Sequence, residues 1–188
     1  MAPEEQRSGI RPLTRIVGER VYCRSADVEA QIASALMLDR AKLCQRAQQR
    51  DPTKPDYLRP ECLVYLIQEF MGRGDEEMVS ALCAHLIRRS AKQINKHLCA
   101  LDAESVEESY REVMTELFSR ILDLKSDRGD FLQVRYWVVV KRLVISAFQK
   151  RTRLLKQERK MVPLSAIPGE EEPDDSEDSR THRAKWVA

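Results

Sequence analysis

Apolar residues recur every three or four positions along most of this chain, and this spacing constrains its fold more than any other feature. Val28, Ile32 and Leu36 form one such stripe, and Leu82 and Leu86 belong to another. Residues at these intervals share one face of an α-helix, whereas a half-buried strand alternates apolar and polar residues. Because no such alternation extends over a useful length, the sequence predicts an all-α protein, a compact helical bundle.

Capping residues and helix breakers set the limits of the first two predicted helices. Ser25 is a suitable N-cap for a helix through about Arg50. The proline-containing segment 51–56 interrupts it. Pro60 suits the first turn of the second helix, which Gly72 and Gly74 end.

Three further helices are predicted after residue 74. Asp75 and Asp102 cap the first two of them. Residues 123–130 are charged and contain Arg128-Gly129, which favours a loop. The last helix runs from about Phe131 to Lys160, and it changes from apolar and aromatic to basic along its length.

The charge is distributed unevenly although the formal net charge is only +2. Residues 141–160 are strongly basic, and residues 170–178 are strongly acidic. Together with the helix pattern, this divides the chain into a flexible arm (1–24), an N-terminal helical extension (25–74), a main helical domain (75–162) and a flexible acidic tail (163–188). A basic helix followed by an acidic tail often marks nucleic-acid contact.

Signals for catalysis, a cofactor, a metal or a membrane are absent from the sequence. It has no P-loop, G-x-G-x-x-G, nucleophile elbow or H-E-x-x-H motif, so we expect no enzyme. The five cysteines are odd in number and lack a C-x-x-C pair, which favours buried free thiols in a reducing compartment. The most apolar run, 136–140, is too short to span a bilayer, so we expect a cytoplasmic protein.

The last predicted helix brings aromatic and basic residues together. Tyr136 and Trp137 precede Lys141, Arg142 and further cations. Exposed rings beside cations suit single-stranded nucleic acid, because bases stack on the rings while phosphates meet the charges. Burial of the rings in the core is the alternative, and these residues alone do not decide between the two.

The order of the elements over residues 75–165 resembles region 2 of the bacterial sigma-70 family, in its small extracytoplasmic-function type. Residues 108–118, E-S-Y-R-E-V-M-T-E-L-F, resemble the family's polymerase-binding segment D-L-V-Q-E-V-F-L-R-L-W. Residues 127–131, D-R-G-D-F, resemble its S-R-G-S-F loop. Residues 140–153 resemble its A-R-N-L-A-I-D-x-L-R-R-R-R-R helix, and residues 162–165 resemble the start of its linker.

This resemblance implies a transcription-initiation protein that binds core RNA polymerase and melts the promoter minus-ten element. The β′ clamp helices would meet Glu108, Arg111, Glu112 and Thr115. The single-stranded non-template strand of promoter DNA would meet Asp127, Arg128, Phe131, Tyr136, Trp137, Lys141, Arg142, Gln149, Lys150, Arg151 and Arg153. The loop 124–131 would hold a base flipped out of the stack. An inhibitory protein of the anti-sigma kind would control it.

The sequence also departs from the family pattern. The usual Asn is Arg142 and the usual Asp is Ser146. We also expect no counterpart of the second sigma domain, a helix-turn-helix, within these 188 residues. A sigma-like protein–protein adaptor or regulator without promoter melting is therefore an alternative. A metal-dependent enzyme that uses Glu108 and Glu112 is a third.

Two segments outside the matched motifs carry expectations of their own. The two helices of the extension, 25–74, would complete the bundle core or dock an inhibitor, and core packing is favoured. The acidic tail would shield the basic helix until polymerase binds.

Overall fold

The computed structural model describes residues 9–14, 16–17 and 20–161, and this part of the chain is built from six helices and one minimal strand pair. The helices are α1 (Ala26–Leu36), α2 (Arg40–Gln48), α3 (Pro60–Gly72), α4 (Glu76–Leu98), α5 (Ala103–Leu122) and α6 (Arg128–Met161). Strands β1 (Ile16–Val17) and β2 (Arg20–Val21) pair antiparallel, with Ile16 opposite Val21. The predicted all-α fold is confirmed.

Helix α3 lies at the centre of the bundle. Seven consecutive residues of α3, 62–68, are buried, and a helix that is apolar on all sides belongs inside a protein. It packs against α1, α4 and α5, while α2 packs against α4. The extension 25–74 therefore contributes to the same hydrophobic core as the helices that follow it, and Leu58 and Leu63 are fully buried there.

Helices α4 and α5 each bury every fourth residue. The buried positions of α4 are Met78, Leu82, Leu86, Ser90, Ile94 and Leu98, and those of α5 are Ser105, Ser109, Val113, Leu117 and Ile121. Residues four apart lie on one side of a helix, so each helix turns one continuous stripe inward. Serines fill the positions where the apolar pattern of the sequence is interrupted.

The predicted helix caps are confirmed. Side chains of Ser25, Asp75 and Asp102 each accept a hydrogen bond from a backbone N–H three residues later, which satisfies a donor that the helix leaves open. Gly74 follows α3 with φ of 72°, the left-handed conformation that glycine adopts without a steric penalty.

The single helix predicted from Ser25 to Arg50 is wrong, because two helices occupy this segment. Helix α1 ends at Leu36, and the Asp39 side chain accepts from Lys42 N at 2.8 Å to cap α2. Met37 lies at the break with its side chain 88 % exposed. The apolar period continues through the break, so the sequence pattern conceals it.

The last helix begins three residues earlier than predicted and is interrupted once. Arg135 has φ of −145° and ψ of 59°, outside the helical region. The next backbone N–H, of Tyr136, donates to Glu61 Oε1 of α3 at 3.2 Å. Glu61 thus serves as the cap for the long second part of α6, and burial raises the pKa of this carboxyl group.

A buried polar network attaches the segment before α1 to the bundle. Arg24 donates to Gln133 Oε1 at 2.6 and 2.8 Å, and Gln133 donates to Gln68 Oε1 at 2.7 Å. Gln68 donates onward to the carbonyl of Ile121 at 3.0 Å. Part of the predicted flexible arm, residues 1–24, is therefore packed: Leu13 and Arg24 are both buried.

The cysteines divide between core and surface. Cys62 is buried, and burial raises the pKa of its thiol to about 12. Cys23 and Cys99 are exposed, so the expectation of buried thiols is wrong for these two. No disulfide joins cysteines in the described residues.

The chain divides into two units, Met1–Arg153 and Leu154–Ala188. The core belongs to the first unit, and the second is described only to the end of α6 at Met161. The predicted acidic tail, 163–188, and the linker motif 162–165 lie outside the described residues. Across the described ranges, no helix is both long and apolar enough to cross a bilayer.

Candidate protein- and nucleic-acid-binding surfaces

A groove of about 620 Å³ lies between α5 and α6. All four residues predicted to bind polymerase line it: Glu108, Arg111, Glu112 and Thr115. Its apolar lining comes from Val113, Leu143 and Ala147. An apolar surface framed by charged side chains can receive a protein segment whose charges are complementary. We refer to this feature as the α5–α6 groove.

Two ion pairs connect the helices across this groove. Glu112 Oε1 lies 2.8 Å from Lys150 Nζ, and Glu108 Oε2 lies 2.9 Å from Arg151 Nη1. Each pair joins a residue predicted to bind polymerase to one predicted to bind DNA. The groove therefore brings together side chains that the sequence placed in two separate sites.

Arg151 is held inside the structure. Besides Glu108, it contacts Ser105, since its Nε donates to Ser105 Oγ at 2.8 Å. Only 17 % of its side chain is exposed. Arg151 thus fastens α6 to the first turn of α5 and does not face solvent as a phosphate contact would. Ser105 carries no sequence signal for this role beyond its place next to a helix cap.

The adjacent rings at the start of the long part of α6 have different environments. Tyr136 is fully buried, and its hydroxyl lies 2.6 Å from Ser90 Oγ. Because Ser90 itself donates to the Leu86 carbonyl, Tyr136 is the donor in this contact. Trp137 is 37 % exposed and stacks edge-on against Tyr136, with ring centroids 5.2 Å apart.

These environments correct the prediction that either ring can meet DNA. In this structure Tyr136 belongs to the core, where burial raises the pKa of its hydroxyl. Trp137 is the accessible ring. Which of the two rings is buried depends on the interruption at Arg135, because it sets the rotation of the helix that follows.

Further residues of the predicted DNA-binding set follow Trp137 along the solvent-exposed side of α6. Lys141, Gln149 and Arg153 lie at multiples of four residues from it, and all three are exposed. Each step of four residues turns by about 40° on a helix of 3.6 residues per turn, so these residues wind around the exposed side. Ile145, which no sequence motif indicated, completes the row and is 43 % exposed. Lys141 and Arg153 form no ion pair in the part of the chain that the structure describes. We call these five residues the α6 row.

The D-R-G-D-F motif, 127–131, turns the chain into α6. Asp127 and Arg128 are exposed, whereas Gly129 and Asp130 are buried. Asp130 Oδ2 accepts from the backbone N and the hydroxyl of Thr14, at 2.6 and 3.0 Å. Gly129 and Asp130 therefore pack inside the protein and do not face solvent.

Phe131 and Arg142 line a second, smaller cavity of about 390 Å³. The guanidinium of Arg142 lies over the Phe131 ring at 5.9 Å, and Tyr22 packs against the same ring with centroids 5.3 Å apart. Arg120 and Arg128 also line this cavity. Its lining also includes Glu116, whose carboxylate lies 2.7 Å from Arg120 Nη2, so Arg128 and Arg142 are the cations left to meet a phosphate beside the rings. Tyr22 and Arg120 were missed because the fold alone brings them there.

Metal-binding geometry is absent among the described residues: no three His, Cys, Asp or Glu side chains are grouped to hold an ion. Glu108 and Glu112, the pair considered for a metal site, instead bind Arg151 and Lys150.

Comparison with protein-family models, with curated proteins and with solved structures found no match to this chain.

Proposed function

We propose that this chain is a sigma-like transcription-initiation protein. In this proposal the α5–α6 groove binds the β′ clamp helices of core RNA polymerase, and the α6 row holds the single-stranded non-template strand of the minus-ten element. The protein acts by binding and not by catalysis. An inhibitory partner of the anti-sigma kind and a cytoplasmic location belong to the same proposal.

The α6 row is the single observation that supports the proposal best. Trp137 offers a ring for stacking, and Lys141 and Arg153 offer cations that no carboxylate of the described residues neutralises. Stacking contributes roughly 1–3 kcal/mol per base, and cations add a term that weakens steeply with salt. By resemblance these residues belong to the family's DNA-contacting helix, so the physical and the sequence arguments agree on the same helix.

The α5–α6 groove supports the protein-binding half of the proposal. Glu108 and Glu112 are 58 % and 45 % exposed, so their carboxylates remain reachable although they are paired. Exposed ion pairs contribute only about 0–1 kcal/mol, so a partner with well-placed cations can replace Lys150. Charges at such an interface set register and association rate.

The first experiment is a pull-down of core RNA polymerase with the wild-type chain and with Glu112→Arg. The matched control is Glu104→Arg, which changes the charge by the same amount on an exposed residue of α5 outside the groove. We expect the wild type and the control to retain polymerase and Glu112→Arg to lose it. If all three proteins retain polymerase equally, the groove is not the site that binds polymerase.

The second experiment measures binding to a fork of duplex and single-stranded non-template DNA. We expect Trp137→Ala to weaken binding by about 1–3 kcal/mol, the contribution of one stacked base. Polymerase retention combined with no Trp137-dependent DNA binding would instead support the adaptor, the alternative in which the fold serves only protein contacts.

A further inference from the structure

Helix α4 carries a long basic surface that the proposed function does not use. From Val79 to Leu101 the chain has no carboxylate, and it has six basic side chains: His85, Arg88, Arg89, Lys92, Lys96 and His97. Arg88, Lys92 and Lys96 are exposed and follow one another at intervals of four residues. Such residues lie on one side of a helix.

Arg50 extends this surface beyond α4. The guanidinium of Arg89 donates to the carbonyls of Ala47 at 2.8 Å and Gln49 at 2.5 Å, which holds the end of α2 on α4. Arg50 is the next residue and is exposed. We call the four exposed cations the α4 ridge: Arg50, Arg88, Lys92 and Lys96.

The electrostatic environment of a neighbouring histidine agrees with this arrangement. Burial lowers the pKa of His85, and the charges of Arg88, Arg89 and Arg50 lower it further. The charges of Arg88 and Arg50 therefore reach the same histidine, and the ridge is a region of positive potential.

Helix stability accounts for only one of the ridge cations of α4: Lys96 lies in the last turn, where a cation is favourable. Like charges four residues apart on a helix destabilise it by roughly 0.2–0.5 kcal/mol per pair. On α5, by contrast, Arg111 and Arg120 each pair with a glutamate four residues earlier. Within the described part of the chain, no ion pair joins a ridge cation to a carboxylate. An unpaired row that costs stability indicates a binding role.

We propose that the α4 ridge binds the phosphate backbone of duplex nucleic acid. Arg88, Lys92 and Lys96 of the ridge are spaced about 6 Å apart along the helix axis, given a rise of about 1.5 Å per residue. Together they can follow a nucleic-acid strand over about 12 Å. Contacts to phosphates need cations and no pocket. This inference goes beyond the proposed function, because it concerns another helix and double-stranded nucleic acid.

The composition of the surface favours duplex over the other polyanions. Helix α4 has no Phe, Tyr or Trp, and the neighbouring Tyr57 ring is covered by the guanidinium of Arg89 at 4.7 Å, so the stacking that holds single strands is weak there. Protein interfaces depend on buried aromatic and apolar anchors. The exposed large apolar side chain of α4 is Ile87, at 36 %. A surface of cations without anchors fits a phosphate backbone better than an acidic protein.

The test is fluorescence anisotropy of the full chain with a labelled random-sequence duplex, repeated over a series of salt concentrations. The ridge variant is Arg88→Gln with Lys92→Gln. The matched control is Lys42→Gln with Arg73→Gln, which removes two exposed cations that pair within their own segments. Circular dichroism and thermal unfolding establish that all three proteins are folded alike.

We expect the ridge variant to lower duplex affinity at least about tenfold at about 50 mM salt and to reduce the salt slope by about 1.8, since each phosphate contact contributes about 0.9. The control should bind like the wild type. Unchanged affinity and slope in the ridge variant would overturn the inference, as would wild-type protein that does not bind duplex.

Two further measurements distinguish duplex binding by the ridge from binding of an acidic protein and from single-strand binding by α6. A labelled oligoglutamate peptide is the probe for an acidic protein: loss of peptide binding without loss of duplex binding would replace the duplex with a protein partner. Single-stranded binding of the ridge variant should remain at the wild-type level, whereas Trp137→Ala should weaken it. The ridge variant therefore tests duplex binding by α4, and Trp137→Ala separately tests the proposed function of α6.

Discussion

The ammonium group of Lys150 lies 2.8 Å from Oε1 of Glu112, so the helix predicted to bind DNA and the helix predicted to bind polymerase are joined by an ion pair. A ligand that binds Glu112 or Lys150 has to break this ion pair first. Glu112 engaged by a partner leaves Lys150 without its counter-charge, and the freed cation is then available to phosphate. Binding of protein and binding of nucleic acid would therefore strengthen one another.

This relationship predicts that Glu112→Gln increases affinity for single-stranded DNA. The expected increase is at most about fivefold, because an exposed ion pair contributes about 0–1 kcal/mol. Anisotropy at low salt measures it. The control is Glu104→Gln, which removes an equal charge from an exposed residue of the same helix that lies outside the groove. An equal increase in both variants would mean that net charge, and not the release of Lys150, is responsible.

Mutation of Tyr136 and mutation of Trp137 should have different effects on DNA binding. Tyr136→Phe removes the buried hydrogen bond to Ser90 and should lower the free energy of unfolding by about 1 kcal/mol, with DNA affinity unchanged. Trp137→Ala should weaken DNA binding, and it should also lower the free energy of unfolding, because Trp137 is only 37 % exposed and its ring packs against Tyr136. Urea denaturation and anisotropy, measured on both variants, check this. A loss of DNA binding in Tyr136→Phe would contradict the assignment of Tyr136 to the core.

Gly129 should not tolerate alanine. A Cβ there would lie 2.1 Å from Gln68 Nε2, and that amide is fixed by its bonds to Ile121 and Gln133. Displacing it should lower the free energy of unfolding by about 1–3 kcal/mol. Gly72→Ala is the matched control, since a Cβ at Gly72 meets no atom within 4 Å.

A double-mutant cycle identifies the cause of that loss. In a Gln68→Ala background the clash is absent, so Gly129→Ala should cost less than it does in the wild type. Equal costs in both backgrounds would show that Gln68 is not the obstacle.

Glu61→Gln should change stability in a pH-dependent way. The folded-state pKa of Glu61 is raised, chiefly by burial, so the unfolded chain loses this proton at lower pH than the folded chain does. Between the ordinary pKa and the raised one the folded state holds more protons, and stability therefore falls as pH rises through this interval. Glutamine keeps an oxygen that can accept from Tyr136 N and does not titrate.

The measurement is urea denaturation of wild type and Glu61→Gln at about pH 4 and about pH 7. The stability of the variant relative to wild type should be greater at the higher pH, and other titrating groups cancel in this difference. A relative stability that is the same at both pH values would contradict a raised pKa for Glu61.

Local signals in the sequence predicted most of the helices and their ends, but not the break between α1 and α2 or the start of α6. Capping by Ser25, Asp75 and Asp102 involves residues three apart, and the inward stripes of α4 and α5 follow a period of four, so nearby residues suffice to predict them. The exposed cations of α6 were also predictable, because a long basic segment rarely lies inside a core.

Contacts between distant segments decided the rest. Whether Tyr136 or Trp137 faces solvent depends on the break at Arg135, and Glu61 caps that break from 75 residues away. The pairing of Lys150 with Glu112 spans 38 residues. The sequence by itself thus determined an all-α chain, its local caps at Ser25, Asp75 and Asp102, and its charged helices, since these follow from interactions within a few residues. Only the tertiary structure decided which of those side chains meet, because that depends on how helices far apart in the chain pack together.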